Sequence, residues 1–221
     1  MSTAILLPSV SLFGEASELY ADEVGPLTSV VGIGLFQRTV LTLQRAGIRQ
    51  LMVLVGPEED QLKQALGKGP RLTIPVRWMP IREFPLDDPR TWEALAAEVP
   101  GFCLLSGVQG VFASALIESL RHEVQEGQVI VVARSDNERD RRPRRSTVRM
   151  KVQAGRLCSI TSRQDDSALV AADLVVFPAS FMSAAGQVDV ETGVAPIRRW
   201  LERAAVDGHV RVLTTEGNKS H

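Results

Sequence analysis

The chain has 221 residues, with 25 Lys or Arg against 26 Asp or Glu and a formal net charge of −1. At 44% hydrophobic and 23% charged residues it is no disordered chain, and it holds enough apolar material for one large domain or two small ones. Near-neutral charge argues against bulk attraction to nucleic acid or anionic lipid, two cysteines exclude a disulfide framework, and no apolar run approaches the ~20 residues of a membrane span.

The opening Met1 to Pro8 lacks the basic region of a signal peptide, so the cytoplasm is the expected compartment. Ala4-Ile5-Leu6-Leu7 reads as a buried first strand. Gly34 to Ala46 reads as a helix, with Leu35, Val40, Leu41 and Leu43 on one side, Gln37, Arg38 and Gln44 mostly on the other, and Gly47 as its stop. Leu51 to Val55 is a second buried strand, ended by Gly56-Pro57, and a helix follows from about Glu58 to Leu66, closed by Gly67. Leu72 to Met79 reads as a third strand and Thr91 to Ala97 as a short helix. Phe102 to Leu105, Ala113 to Val124 and Val129 to Val132 continue the alternation of strand and helix. Strands without polar alternation have both faces covered, which predicts a parallel sheet with right-handed crossovers.

The pattern changes after residue 133. Arg134 to Arg145 is polar and Arg-rich. Thr147 to Val152 alternates with period two, Gly155 turns the chain, and Leu157 to Ile160 returns, which predicts a hairpin. Leu174 to Phe177 is a buried strand ended by Pro178, Ile197 to Ala205 a helix, and Val210 to Leu213 a last strand. The expectation is one domain over 1–221 in two parts: a parallel α/β half over 1–133 and a mixed half over 134–221. The fold class is α/β, a three-layer sandwich with a mostly parallel sheet, helices on both faces and a small mixed β extension.

Three segments carry a family resemblance. The first runs from Pro26-Leu27-Thr28 through Gly32-Ile33-Gly34-Leu35 to Arg45-Ala46-Gly47-Ile48, the second is Val53-Leu54-Val55-Gly56, and the third runs from Val148 to Ile160 around Gly155-Arg156-Leu157, followed by Val176-Phe177. Together they resemble the nucleotidyltransferases of the GT-A-like, Rossmann-related fold, above all the inositol-phosphate cytidylyltransferase branch. That branch is often fused to a membrane alcohol-phosphatidyltransferase, and its Asp-Val-Asp-Thr-Pro segment would lie beyond His221. The resemblance implies transfer of a nucleotidyl group from an NTP, CTP favoured, to a phosphorylated sugar or polyol with Mg²⁺, and a homodimer is one assembly open to such a domain.

That chemistry needs cations and backbone N–H groups for a triphosphate, carboxylates for Mg²⁺, and an acceptor phosphate in line with the α-phosphorus. The loop from Ser9 to Gly25 has only Gly14 before its end, carries Glu15, Glu18, Asp22 and Glu23, and has no Lys or Arg. Such a loop repels a triphosphate. Gly25 stands where the family has Lys. After the fourth strand, Ser106-Gly107-Val108-Gln109-Gly110 supplies no acid, and the amide of Gln109 is a poor substitute for a carboxylate on Mg²⁺. Two readings follow: an active transferase, or a catalytically degenerate relative with a binding, regulatory or dimerisation role. The catalytic residues stay unassigned and no metal ligand is named.

Ligands of such sheets bind beyond the C-terminal strand ends. The substrate-binding candidates are therefore Leu7, Pro8, Gly25, Gly56, Ser106 and Gln109, with backbone groups at Leu7 and Pro8 facing the base. Arg141, Arg142, Arg144 and Arg145 are candidates for an anion clamp or a solvated loop, and they lack the interleaved aromatics of a nucleic-acid platform. Gly32-x-Gly34 lacks the third glycine of a dinucleotide fingerprint and reads as a tight turn. His122, His209 and His221 share no metal-ligand spacing, and Cys103 and Cys158 read as small core residues.

Overall fold

The computed structural model describes residues 2–8, 13, 25–67, 72–108, 111–125, 127–135, 148–161, 169–185, 187 and 196–215. In chain order the elements are β1 Thr3–Leu7, β2 Ser29–Val30, β3 Ile33–Gly34, α1 Leu35–Arg45, β4 Gln50–Val55, α2 Glu59–Gly67, β5 Val76–Pro80, α3 Pro89–Glu98 and β6 Phe102–Gly107. They continue with α4 Ser114–Glu123, β7 Val129–Ser135, β8 Arg149–Gln153, β9 Arg156–Thr161, β10 Leu169–Pro178, α5 Ala179–Ala185, α6 Pro196–Val206 and β11 Val210–Thr215.

Local chemistry explains the element ends. In α1, Phe36, Val40 and Leu43 bury one stripe at helical spacing. Its N-cap Gly34 has no side chain to offer, so the segment before it supplies the cap: the Leu35 N–H donates to the Thr28 carbonyl at 3.0 Å and the Phe36 N–H to the Pro26 carbonyl at 2.9 Å. Gly47, at φ +80, ends the helix, and Arg121 of α4 donates to the helix-end carbonyl of Ala46 at 2.8 Å. A Cβ at position 47 would meet that guanidinium at 2.6 Å. In α3, Asp88 caps the helix by accepting from the Arg90 N–H, with Pro89 in the first turn.

A nine-stranded sheet has the order β5-β4-β1-β6-β10-β7-β11-β9-β8, and β2 and β3 form a separate two-stranded ribbon. β1 pairs in parallel with β4 and β6, β4 with β5, and β7 with β11. β10 runs antiparallel to β6, β7 and β8, and β9 runs antiparallel to β8 and β11. The sheet is thus mixed, and the expected mostly parallel one is corrected. The chain leaves β7, makes the β8–β9 hairpin at the sheet edge, and returns as β10 against the direction of β6 and β7 between which it lies.

Both faces are covered. Ala4, Leu6, Val53, Leu104 and Val176 pack with Phe36 and Val40 of α1, Leu62 of α2 and Ile117 of α4. Ile5, Leu54, Leu105, Val175 and Phe177 pack with Trp92 of α3, Met182 of α5 and Leu201 of α6. Successive strand residues point to opposite faces, so each unbroken apolar run feeds both layers.

Several expected boundaries move. The strand expected from Leu72 begins at Val76, because Pro75 has no N–H to give to a ladder and offers only its carbonyl, to the Leu51 N–H at 3.1 Å. The strand expected over Leu174 to Phe177 has ten residues. Helix α5 and the β2–β3 ribbon were not expected as elements. Cys158, expected in the core, is exposed on β9, whereas Cys103 is buried. Of the described residues, no helix is long and apolar enough to cross a membrane.

Candidate functional site: the mouth of the sheet

The C-terminal ends of β1, β4 and β6 lie side by side. Leu6 pairs with Ser106 on one flank and Val53 on the other, and Leu7 pairs with Gly107. Leu7 is 2% exposed and its neighbour Pro8 is also buried, so β1 brings backbone to the mouth without a polar side chain. Ser106 is buried, and its hydroxyl donates to the Gly107 carbonyl at 2.6 Å. Gly25 stands at the turn before the ribbon, where its carbonyl accepts from the Thr28 N–H at 3.0 Å.

Gly56 ends β4, but its N–H is already engaged: the Glu58 carboxylate accepts it at 3.2 Å. A Cβ on Gly56 would meet that carboxylate at 2.8 Å. The acid therefore folds back over the strand end, putting negative charge where a phosphate would want a donor. An acid two residues beyond the strand-ending glycine was the sequence signal for this contact.

The mouth holds one cation that periodicity assigned to the solvent side of a helix. Arg38 sits in the first turns of α1, and its Nη2 donates to the Val30 carbonyl of the ribbon at 2.8 Å. Its Nε is buried with no hydrogen-bond partner. An unmet buried donor of this kind costs about 1–3 kcal/mol. Arg38 shares a small cleft with Ser106, whose other walls come from α1, from Val111 and Phe112 ahead of α4, and from Ile117 of α4. Sequence reading missed it because only the two-residue turn of the ribbon brings the Val30 carbonyl beside the helix.

Across β6, the mouth is bordered by β10. Leu174 pairs with Ser106, and the register of β10 shifts between Ala171 and Val175. Within that shift Asp173 has φ +50, a left-handed backbone that Asp tolerates better than most residues but that still costs free energy. Residues held in this way concentrate at functional sites.

Gln109 and the arginines Arg141, Arg142, Arg144 and Arg145 lie outside the described residues, as does the acidic loop apart from Phe13 and Gly25. Phe13 itself is fully buried, and Arg198 of α6 donates to its carbonyl at 2.9 Å. His122 and His209 are exposed, and burial pushes the Cys103 thiol far up, leaving it an inert core group. Among the described residues no group of three His, Cys, Asp or Glu could hold a metal ion. The described part of the mouth therefore lacks the carboxylate set that would fit Mg²⁺.

No protein-family model matches the chain, and no curated protein matches it in sequence. Solved structures do match. The inositol-1-phosphate CTP transferase from T. maritima superposes with a TM-score of 0.70 at 15% identity, over 98% of this chain and 86% of that one. A putative glucose-1-phosphate thymidylyltransferase from Bacillus anthracis, in complex with a sucrose, gives 0.69 at 14% identity, over 98% and 87%. At such identities the likeness is one of fold, and the expected resemblance to nucleotidyltransferases is met at that level: this chain has the fold of those two proteins.

Proposed function

We propose that this chain is a binding domain on the nucleotidyltransferase fold, taking a phosphorylated sugar or polyol, or a nucleoside monophosphate, at the mouth between β1, β4 and β6. The observation that carries this is Arg38: a permanent cation with an unmet buried N–H, in a cleft beside the β6 strand end. Strand ends of open α/β sheets are where ligands of this fold class bind. In this reading the domain binds without turning over. Glu58 holds the Gly56 N–H, and the segment after β1 carries four acids and no base, so the mouth is poorly equipped for the charge of a triphosphate. Regulation or dimerisation would then be the output.

The second reading is nucleotidyl transfer with Mg²⁺. An acceptor phosphate oxygen would attack the α-phosphorus of CTP, and pyrophosphate would leave. It is favoured by how nearly the whole chain superposes on two transferases. The experiment incubates the protein with CTP, Mg²⁺ and either inositol 1-phosphate or glucose 1-phosphate, while thermal unfolding is followed in parallel. A rise in midpoint without pyrophosphate supports binding alone. Steady pyrophosphate release establishes transfer instead. No shift and no release with any NTP or sugar phosphate overturns both.

A further inference from the structure

We infer that Arg38 and the cleft beneath it form a subsite for one oxygen of a phosphoryl group, reached from the α1–α4 side of the mouth rather than from the loop after β1. The inference deepens the binding function proposed above and rests on it. The guanidinium is fixed at one end, because Nη2 donates to the Val30 carbonyl at 2.8 Å, and Val30 belongs to the ribbon that leads into α1. Its Nε is buried with no acceptor, and the side chain lines the cleft. The cleft is walled by Thr42, Ser106, Val111, Phe112 and Ile117, among others, and no described side chain that lines it is acidic.

A guanidinium keeps its charge at every pH a protein survives, so the unmet Nε cannot be relieved by losing a proton. It can be relieved only by an acceptor, and a negatively charged oxygen is the strongest. The space is small, with room for about one water-sized group. It suits a single phosphoryl oxygen, with the rest of the ester outside. Two of the three hydroxyls that line the cleft are spoken for as donors, Ser106 to Gly107 and Thr39 to Leu35, and the third, on Thr42, carries no charge. Charge recognition therefore falls to Arg38, and the apolar walls at Val111, Phe112 and Ile117 strengthen it by excluding water.

The test is calorimetric titration of the full chain with inorganic phosphate, glucose 1-phosphate and CMP, at low ionic strength, for wild type, Arg38→Met and Arg38→Lys. Arg38→Met is expected to weaken each phosphate-bearing probe at least tenfold. Arg38→Lys keeps a charge but has no Nε–H, and should weaken each probe several-fold. Both variants should keep the wild-type thermal midpoint within a few degrees. Unchanged affinities in folded Arg38→Met would overturn the subsite and leave a bound water as the occupant of the cleft. If both variants instead unfold early and Arg38→Lys binds like wild type once folded, the arginine serves only to clamp the ribbon, and the inference is wrong. The two proposals fail separately. Binding of CMP or glucose 1-phosphate that ignores Arg38 removes the subsite and leaves the function. Arg38-dependent binding of inorganic phosphate alone keeps the subsite and removes the function. No binding of any probe removes both.

Discussion

β1 and β10 both lie inside the same sheet, yet they are built differently. β1 is five residues, all buried, with parallel partners on both sides and an uninterrupted register. β10 is ten residues, antiparallel to each of its partners, and its register slips around a left-handed Asp173. Its inner part, Leu174 to Phe177, is as buried as β1, while Leu169 to Asp173 is mostly half-buried. The difference teaches that the parallel block is fixed by burial alone, because a one-residue slip would exchange its two core faces. The outer part of β10 must be fixed by backbone geometry instead, and that geometry is where an unusual residue borders the mouth.

The sharpest way to break this comparison is to remove buried volume from each part. Leu6 is fully buried between β4 and β6, so Leu6→Ala should cost about 2–5 kcal/mol. Val170 is 5% exposed in the outer part of β10, and Val170→Ala should cost about 1–2 kcal/mol. Urea denaturation of the two variants reads both losses. Equal losses would mean that the outer part of β10 is held by packing as β1 is.

Asp173 offers the next test. Asp173→Ala and Asp173→Gly both delete the carboxylate and differ in their tolerance of φ +50. The alanine variant should be less stable than the glycine variant by about 1 kcal/mol. Matching denaturation midpoints would show that the chain abandons the left-handed turn once the side chain is gone, and that the carboxylate sets the register shift.

The same contrast sets what could be read in the sequence. Ala4 to Leu7, Leu51 to Val55, Phe102 to Leu105 and Val129 to Val132 are unbroken apolar runs, and burial on two faces is what such runs mean. Gly47 and Gly155 were legible as turn positions because glycine suits their positive φ, whereas Ala154, at φ +50 beside Gly155, gave no such sign. The direction of β10 was not legible, since a run such as Leu174 to Phe177 is equally at home in a parallel or an antiparallel pairing. Helix α5 was missed because its seven residues are mostly small and carry no clear period. At the mouth, Leu7, Pro8, Gly56 and Ser106 follow from strand ends alone. Arg38 does not, because its contact with Val30 is set by the fold of the ribbon, whereas Glu58 reaches Gly56 from only two residues away and left a local signal, the acid just beyond the strand-ending glycine.

The ribbon that supports Arg38 gives a smaller test. Its turn places Val31 at φ +54 and Gly32 at φ +77, the pattern of a two-residue hairpin that favours Asn-Gly. Val31 is β-branched, 90% exposed, and poorly suited to that backbone. Val31→Asn should stabilise the protein by about 0.5–1 kcal/mol, read as a higher thermal midpoint. A fall would mean that the exposed valine is held by a contact the free chain does not show.

The smallest effect is expected far from the mouth, at the start of α3, and it depends on pH. Asp88 accepts from the Arg90 N–H at 2.9 Å, and the Arg90 guanidinium pairs with it at 2.6 Å. The side-chain hydrogen bond from Arg90, then the backbone one, holds the Asp88 carboxyl below its ordinary value of 3.8. A carboxyl that is a stronger acid in the folded chain than in the unfolded one stabilises the fold above its unfolded pKa, and loses that contribution as pH falls through the folded value. Asp88→Asn keeps a competent cap and removes the charge. Wild type should therefore be slightly the more stable at pH 7, and its advantage over Asp88→Asn should shrink as the pH is lowered below about 4. The pair is exposed, so the advantage should also shrink with added salt. An advantage that stays constant from pH 7 to pH 3 would mean that Asp88 caps α3 by shape alone, with the charge of Arg90 a bystander.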